Sequence, residues 1–408
     1  MSARELNYGF EGQFRFKMKS DRIVVDHRAP LPLAEPRSAI AQSLANPLQY
    51  PPLEQSLIPD DRIVLVLDRN TSCAAELIAE VWKVLDRRDV AAERVTILQP
   101  GDFRGRSPAD PRSLLPDSAR EAVRWLVHDP TAASSCSYLA STSAGDRLYL
   151  SRELLDADVV VTIGSLGFDP VLGYRGTGSA FYPGLSDVDA VRKAQGLGHD
   201  ELSPDDPRPL RQLIEEVAWL VGSQFSLQVI PSAGLGISNV IAGQSDAVLE
   251  QGRQHVNDAW RIDVAERPEL VIASVEADAA GHTWTQIASA LDTARRIVAR
   301  DGRVLLLTEL ADQPSDGIKL IMDSRAPRDV LKPLRDAAPP DLVSASQVAQ
   351  ALDWTNVYLV SRLDPQLVED LFMIPLEGEN EARRLIDGDE ACAIVAGAQH
   401  AAVRILGA

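Results

Sequence analysis

The sequence predicts an α/β protein with mostly parallel sheets, arranged in two domains. Three observations lead to this prediction. Short β-branched runs alternate with longer amphipathic segments, and that order favours parallel strands joined by helices. The strand-like runs are almost continuously apolar, which is typical of a sheet covered on both faces. The length of 408 residues also exceeds the roughly 250–300 residues at which a single hydrophobic core stops growing.

The first half of the chain begins this alternation. The run 62–68 predicts a strand, and the helix predicted over 74–85 follows the capping residues Asn70, Thr71 and Ser72. Further apolar runs predict strands over 94–99, 159–164, 227–231 and 240–243. Helical periodicity predicts helices over 117–126 and 210–221.

A new alternation begins after Pro268. It predicts strands over 270–274, 302–309, 357–361 and 392–396, with helices over 285–299 and 347–352. We therefore expect a first domain over 1–262 and a smaller α/β domain over 263–408.

The charge balance excludes some classes of partner. Lysine and arginine number 41 against 59 acidic residues, which gives a net charge of −18 and argues against binding nucleic acid. No apolar run is long enough to span a membrane, and the first thirty residues contain no apolar signal core. We therefore expect a cytoplasmic protein that does not contact membranes.

Cysteine and histidine spacing predicts no metal site. The three cysteines, Cys73, Cys136 and Cys392, lie far apart in the sequence and form no C-x-x-C pair. The six histidines show neither H-x-H nor H-E-x-x-H spacing.

A glycine-rich stretch over 164–184 follows one of the buried strands. Its glycines Gly173, Gly176, Gly178 and Gly184 would let the backbone approach a ligand closely or adopt positive φ. The stretch matches neither the dinucleotide-binding nor the P-loop pattern. Two interpretations remain open, a ligand-binding loop and an irregular surface loop.

A spaced set of residues extends from the first buried strand to a late helix: Asp68, Gly101, Arg104, Gly173, Tyr174, Gly176, Pro183, Gly184 and Gln286. In this order the chain resembles the lactate racemase family of nickel-dependent 2-hydroxyacid racemases and epimerases. Members of that family typically carry D-x-T-R-P, G-x-H-R, P-H-x-x-x-G-[YF]-S-G-G-x-K followed by P-G, and Q-x-x-K. The resemblance implies two α/β domains with the active site in the cleft between them.

The resemblance also implies a chemistry. The hydride on C2 of the substrate moves to a nickel-pincer cofactor and returns to either face of the resulting ketoacid. Two histidines exchange the hydroxyl proton, because imidazole titrates near neutral pH. A lysine in the glycine loop is covalently joined to the cofactor, and another histidine ligates nickel. An arginine and a second lysine hold anionic groups.

This chain departs from the family pattern at nearly every position with a chemical role. The replacements are Thr71 for arginine, Phe103 and Asp169 for histidines, Ser179 for the cofactor-bearing lysine, Gln195 for the nickel-ligating histidine and Ser289 for the second lysine. Serine has no amine with which to attach the cofactor. Each lost charge-assisted contact costs about 1.5–3 kcal/mol. We therefore expect a divergent member that uses no cofactor, with the nickel-pincer nucleotide as the alternative.

The candidate residues follow from the positions that match the family. The acid and base candidates are Asp169, His199 and His282. The candidate binding positions are Asp68, Thr71, Arg104, Arg175, Ser179, Gln195, Gln286 and Ser289. Asp169 is either a general base or metal ligand, or a loop aspartate that accepts hydrogen bonds from its own backbone. Arg175 is either a carboxylate anchor or an exposed loop residue.

Three hypotheses about function follow. The first is a protein that binds a small hydroxy acid, keto acid or related polar metabolite in the interdomain cleft without the nickel-pincer mechanism. The second is an active isomerase, a racemase or epimerase of a 2-hydroxyacid-like substrate with a changed acid/base set. The third is a noncatalytic partner subunit of an active paralogue. A homo-oligomer is compatible with each of them.

Overall fold

A computed structural model describes residues 2–101, 108–132, 134–142, 145–196, 198, 202–223 and 225–407. Its strands are β1 (Ser2–Tyr8), β2 (Gly12–Met18), β3 (Ile23–His27), β4 (Ile63–Leu67), β5 (Val95–Pro100), β6 (Arg124–His128), β7 (Cys136–Ser141), β8 (Arg147–Ser151), β9 (Val159–Ser165), β10 (Gly167–Asp169), β11 (Gly173–Arg175), β12 (Phe225–Pro231), β13 (Ile237–Gln244), β14 (Arg261–Val264), β15 (Leu270–Ser274), β16 (Arg303–Leu307), β17 (Asn356–Val360), β18 (Ile374–Pro375), β19 (Cys392–Val395) and β20 (Ala402–Ile405). Its α-helices are α1 (Pro36–Ala45), α2 (Ala74–Asp86), α3 (Asp117–Ala122), α4 (Arg152–Leu155), α5 (Val188–Lys193), α6 (Pro209–Val221), α7 (Ser245–Trp260), α8 (Trp284–Ile297), α9 (Asp316–Met322), α10 (Leu331–Ala337), α11 (Leu342–Trp354), α12 (Pro365–Asp370) and α13 (Glu379–Leu385).

The chain divides into two compact units, each with a six-stranded sheet. The first unit comprises Leu31–Gln195 and Glu201–Asn257, and the second comprises Met1–Pro30, Gly196–Asp200 and Asp258–Ala408. The sheets are mostly parallel, so the predicted α/β class is confirmed.

The sheet of the first unit has the strand order β13-β12-β9-β4-β5-β6. All neighbours are parallel except β12 and β13. In β4, Ile63, Leu65 and Leu67 pack in one hydrophobic cluster, whereas Val64 and Val66 pack in another. Because successive side chains of a strand point to opposite faces, both faces of β4 are covered, which explains its continuous apolar run.

The strand order reverses between β4 and β9. From β4 the chain continues to β5 and β6 on one side, and β9 then pairs with β4 on its other side. Loops that follow two such strands leave in opposite directions and open a crevice at their carboxyl ends, where open α/β sheets bind ligands. Asp68 directly follows β4, and Ser165 ends β9.

The sheet of the second unit is parallel throughout, in the order β18-β17-β16-β15-β19-β3. Residues 1–30, placed in the first domain by the sequence analysis, belong to this unit. The reason is that β3 forms the edge strand beside β19, a pairing with a segment more than 360 residues away in the chain. No local sequence pattern carries that information.

Several elements differ from the sequence prediction. The helix predicted over 117–126 ends at Ala122, and Arg124–His128 pairs with β5 as an edge strand. Helix α7 was not predicted, because its sequence is largely polar. Across the described residues, no helix is long and apolar enough to cross a membrane.

Candidate functional site

The loop from β4 to α2 is tied to the end of β9. The amide of Asp68 donates to the Ile163 carbonyl at 2.8 Å, and the amide of Ser72 donates to Ser165 Oγ at 3.3 Å. Thr71 Oγ1 donates to the Asp68 carbonyl at 2.8 Å, so Thr71 supports the loop itself. These bonds place the start of α2 at the crevice between the two strands.

The glycine-rich stretch forms the small hairpin β10–β11, in which Gly167 pairs with Arg175 and Asp169 with Gly173. Gly173 has φ of +76°, and a Cβ there would lie 2.3 Å from the Pro204 carbonyl oxygen. Glycine is therefore required at this position by both backbone conformation and space.

Two further glycines let neighbouring side chains approach the backbone closely. A Cβ on Gly164 would lie 3.0 Å from Gln228 Oε1 and 3.2 Å from Asp68 Cβ. A Cβ on Gly176, whose φ is +123°, would lie 2.3 Å from Leu166 Cδ2 and 3.3 Å from the same Gln228 oxygen. We call the backbone of Gly164, Gly167 and Gly176 the glycine cradle.

Arg175 lies against the cradle. A Cβ on Gly167 would lie 3.3 Å from Arg175 Nε. This nitrogen is buried and has no hydrogen-bond partner among the residues that the structure describes. A buried donor without a partner is uncommon in native proteins and calls for an explanation, such as a bound water or ligand. Arg175 Nε is therefore a candidate donor to a bound ligand or water.

Gln228 is a polar residue within the apolar strand β12, and it is 0% exposed. Its Nε2 donates to Ser226 Oγ at 2.9 Å, and Ser226 Oγ also accepts from Thr162 Oγ1 at 2.7 Å. Its Oε1 has no partner in the described part of the chain. Sequence reasoning missed Gln228, although a glutamine in a strand covered on both faces is itself a signal.

The Asp68 carboxyl has a perturbed acidity. Burial raises its pKa, although the positive charges of Arg175 and Arg69 act in the opposite direction. Asp68 Oδ1 accepts a hydrogen bond from the Arg69 amide at 2.8 Å. The charge of Asp169 adds to the rise. A carboxyl with a raised pKa in a crevice is a candidate for a functional group.

Asp169 is engaged within its own loop. Its Oδ1 accepts from the amides of Val171 and Leu172, both at 2.8 Å. This is the backbone-capping arrangement expected of a loop aspartate. An acid or base role for Asp169 stays a prediction.

Arg211, which is 5% exposed, stabilises the backbone around the cradle. Its guanidinium donates to the Gly176 carbonyl at 3.1 Å and to Thr177 Oγ1 at 3.2 Å, and it pairs with Glu215 at 3.0 Å. Ser179 Oγ accepts from the Gly176 amide at 2.8 Å. Ser179 thus stabilises the turn in which it lies.

Three further candidate residues are Gln195, Arg104 and His199. Gln195 is half-buried just after α5, and its amide donates to the Arg192 carbonyl at 3.2 Å. Arg104 and His199 lie outside the described residues, as does Phe103.

His282 lies in the second unit and is buried. Its Nε2 accepts from the Glu309 amide at 2.9 Å and lies 2.6 Å from Thr308 Oγ1. Burial lowers the pKa of the ring, which favours the neutral imidazole. A role of His282 as acid or base stays a prediction.

Gln286 and Ser289 lie on α8 of the second unit. Gln286 Oε1 accepts from the Thr283 amide at 3.1 Å and from Thr283 Oγ1 at 2.6 Å, which forms a capping box at the start of the helix. Gln286 Nε2 donates to Asp278 at 3.3 Å. Ser289 lies one turn further along and is half-buried.

Comparisons with known proteins agree with this architecture. Residues 8–199 match the lactate racemase N-terminal domain. The lactate racemase of Thermoanaerobacterium thermosaccharolyticum is 21% identical over 365 residues, which is 85% of each chain. The chain is thus similar to lactate racemases over most of its length.

Solved structures show that the fold of the family extends over the whole chain. The lactate racemase apoprotein from Thermoanaerobacterium thermosaccharolyticum matches with a TM-score of 0.81 at 18% identity, covering 99% of this chain and 100% of that one. A Thermotoga maritima protein matches with a TM-score of 0.67 at 12% identity, covering 92% and 99%. At these identities the likeness shows the fold alone.

The residues at the family positions do not fit the nickel-pincer group. No lysine occurs anywhere in 164–184, and the hydroxyl of Ser179 bonds the Gly176 amide. Within the described ranges, no three His, Cys, Asp or Glu side chains come together to hold a metal ion. The groups to which the resemblance assigns attachment and ligation are therefore missing from these positions.

Proposed function

We propose that this protein binds a small carboxylic acid, of the 2-hydroxy or 2-keto type or a related polar metabolite, at the glycine cradle of the first unit. The observation that carries the proposal is the buried Nε of Arg175, which has no partner in the described part of the chain. Guanidinium groups recognise carboxylates through paired, charge-assisted hydrogen bonds. A ligand carboxylate would supply the acceptor that the protein does not.

The surroundings of Arg175 support the same ligand class. Arg175 lies against the backbone of Gly167, and the crevice lies at the carboxyl ends of β4 and β9, where α/β sheets bind ligands. Helix α2, thirteen residues long, begins six residues after Asp68, and a helix N-terminus favours an anion. The protein can thus bind a small anion locally despite its net charge of −18.

We propose that binding occurs without the nickel-pincer group. Ser179 has no amine, Gln195 is not a nickel-ligating imidazole, and Thr71 carries no charge. The test is nickel content and intact mass after co-expression with the enzymes that make the cofactor. We expect substoichiometric nickel and an unmodified mass. Stoichiometric nickel with a cofactor-sized mass increase would contradict the proposal.

The binding test compares wild type with Arg175→Gln by calorimetry, using D-lactate, L-lactate, glycolate and pyruvate as probes. Loss of a charge-assisted contact, about 1.5–3 kcal/mol, weakens binding about 10- to 100-fold. Arg192→Gln is the matched control, because Arg192 lies exposed on α5, 3.8 Å from Asp189. The proposal fails if wild type binds none of these acids or if Arg175→Gln binds them equally well.

A second candidate function is an isomerase with a changed acid/base set. The observation that favours it is the raised pKa of Asp68 beside Arg175, since proton-transferring carboxyls often have raised pKa values. Deuterium incorporation at C2 of a bound hydroxy acid in D2O, followed by NMR and lost in Asp68→Asn, would favour this function. Binding without exchange would favour the noncatalytic one.

A further inference from the structure

We propose that the edge strand β18 of the second unit carries a docking surface for a basic, amphipathic segment of another protein. The surface consists of the apolar residues Phe372 and Ile374 with the acidic residues Glu369, Asp370 and Glu377, and we call it the Phe372 surface. The glycine cradle belongs to the other unit, so this proposal does not depend on the proposed function.

Phe372 occupies a position after helix α12 at which glycine is usual. The Phe372 amide donates to the Glu369 carbonyl at 2.8 Å. The next amide, that of Met373, donates to the Val368 carbonyl at 3.1 Å. These two bonds form a Schellman motif, in which the chain turns through a left-handed residue. Phe372 accordingly has φ of +59°, and among the described non-glycine residues with positive φ it alone is aromatic. A bulky residue in this conformation strains the backbone.

Burial of the ring gives only partial compensation for this strain. Phe372 and Ile374 are each 40% exposed, whereas Met373 between them lies in the hydrophobic core of the unit. Strained residues are retained mostly where function requires them. Aromatic side chains anchor protein interfaces, and polar residues form the rim around such anchors. Phe372 and Ile374, with acidic neighbours, have this composition.

The geometry of β18 disfavours a partner that adds a further strand. This edge strand has two residues, of which Ile374 pairs with Tyr358 and Pro375 with Leu359 of β17. Pro375 has no N–H group to donate to another strand, and proline at a sheet edge opposes strand addition. The partner therefore binds through its side chains, as an amphipathic helix does when its apolar face contacts an apolar surface.

The local charge favours a basic partner. The range 363–382 contains no lysine or arginine, and its six acidic residues are Asp364, Glu369, Asp370, Glu377, Glu379 and Glu381. Arg362, just before this range, pairs with Glu309. Arg383, just after it, pairs with Glu379. The carboxylates of the Phe372 surface are thus not neutralised by either arginine.

These carboxylates also argue against a second copy of this chain as the occupant. Glu369, Asp370 and Glu377 are exposed, and Glu369 and Glu377 have no partner among the described residues. A second copy would bring the same carboxylates and a net charge of −18 to the contact, and like charges facing each other oppose association. Lysine and arginine side chains around an apolar centre would instead complement both parts of the surface.

The experiment measures binding of two short helical peptides by fluorescence anisotropy, one of leucine and lysine and the other of leucine and glutamate. The full chain should bind the lysine peptide and not the glutamate peptide. Phe372→Gly should bind the lysine peptide at least about tenfold more weakly, because the anchor is lost. Ile58→Ala is the matched control, since Ile58 is 59% exposed and lies two residues before Asp60 in the first unit. This control should bind as wild type does.

The melting temperature separates docking from packing. Phe372→Gly relieves the backbone strain and loses the contacts of a partly buried ring, so the two effects oppose each other and leave the melting temperature close to that of wild type. A marked fall would show that the ring is retained for packing and would overturn the proposal. Glu369→Lys combined with Glu377→Lys changes exposed side chains only and should abolish binding of the lysine peptide. This second variant keeps the proposal testable if Phe372→Gly does not fold.

Three other outcomes overturn the proposal. Wild type does not bind the lysine peptide. Wild type, Phe372→Gly and the double variant bind it equally well, in which case the overall negative charge is the cause. Sedimentation shows a wild-type dimer that Phe372→Gly dissociates, which would assign the Phe372 surface to a second copy of this chain.

Discussion

Replacing Glu309 by glutamine should loosen the tip of the N-terminal hairpin within the second unit. Glu309 Oε2 accepts from the amide of Phe10 at 2.7 Å and from that of Glu11 at 3.3 Å, and Oε1 pairs with Arg362. Burial works to raise the pKa of the Glu309 carboxyl, but the two amides and Arg362 outweigh it and hold the pKa below its usual value. The carboxylate is therefore the favoured form in the folded chain.

The magnitude follows from these contacts. A hydrogen bond to a charged group contributes about 1.5–3 kcal/mol and one to a neutral group about 0.5–1.5, so each of the two amides loses about 1 kcal/mol when the acceptor becomes neutral. The Arg362 pair adds little, because the Arg362 side chain is 64% exposed and screened by water. Together the loss is about 2 kcal/mol, which corresponds to roughly 30-fold faster exchange of the two amides.

Hydrogen exchange measured by mass spectrometry on peptides covering 2–18 tests this effect. Glu5→Gln is the matched control, since Glu5 lies on the same hairpin and pairs with the exposed side chain of Arg15. A carboxylate whose pKa is lowered by folding stabilises the folded chain at pH values above its unfolded pKa of about 4.3. This stabilisation is lost as the pH falls through the pKa of the carboxyl in the folded chain. Wild type and Glu309→Gln should therefore converge in acid. Unchanged exchange of Phe10 and Glu11 at neutral pH would refute the reasoning.

Two further predictions concern stability and titration. Gly173→Ala should lower the melting temperature markedly, because the new Cβ would lie 2.3 Å from the Pro204 carbonyl oxygen. The control is Gly145→Ala, whose φ of +88° is comparable and whose Cβ would have no described atom within 4 Å, so this variant should lose only about 1–2 kcal/mol through backbone strain. Equal melting temperatures of the two variants would contradict the prediction. His27 should titrate by NMR with a pKa of about 4, because its burial outweighs the charge of Asp26. Since the unfolded pKa is about 6.5, this histidine should lower the stability of the folded chain as the pH falls from about 6.5 towards 4. A midpoint near 6.5 would show that the ring is solvated.

The strands were predictable because their signal is local. The run predicted over 270–274 coincides with β15. The run over 159–164 ends one residue before β9 does, and the run over 62–68 exceeds β4 by one residue at each end. An apolar run of five to seven residues is typical of a strand covered on both faces. The edge strand β3 was not predicted, because the hydrogen bonds that make it a strand come from β19, far away in the chain.

The candidate site was predictable in part. The resemblance indicated Asp68 and the glycine-rich stretch, and the structure brings both to the point where the strand order reverses. It did not indicate Gln228, because a residue 64 positions after Gly164 reaches the cradle only through the pairing of β12 with β9. Asp169 was predicted as an acid or base and Ser179 as a binding position. The side chains of both accept hydrogen bonds from amides of their own loop.

The sequence by itself determined the α/β class and indicated the likeness to lactate racemases, because periodicity and motif spacing are properties of the chain alone. Only the tertiary structure decided which polar groups have partners. Arg175 Nε and Gln228 Oε1 lack them among the described residues, whereas His282 Nε2 accepts from Glu309. Burial and hydrogen bonding depend on groups that are distant in the sequence, so the chemistry available to a residue type is settled by its neighbours in space.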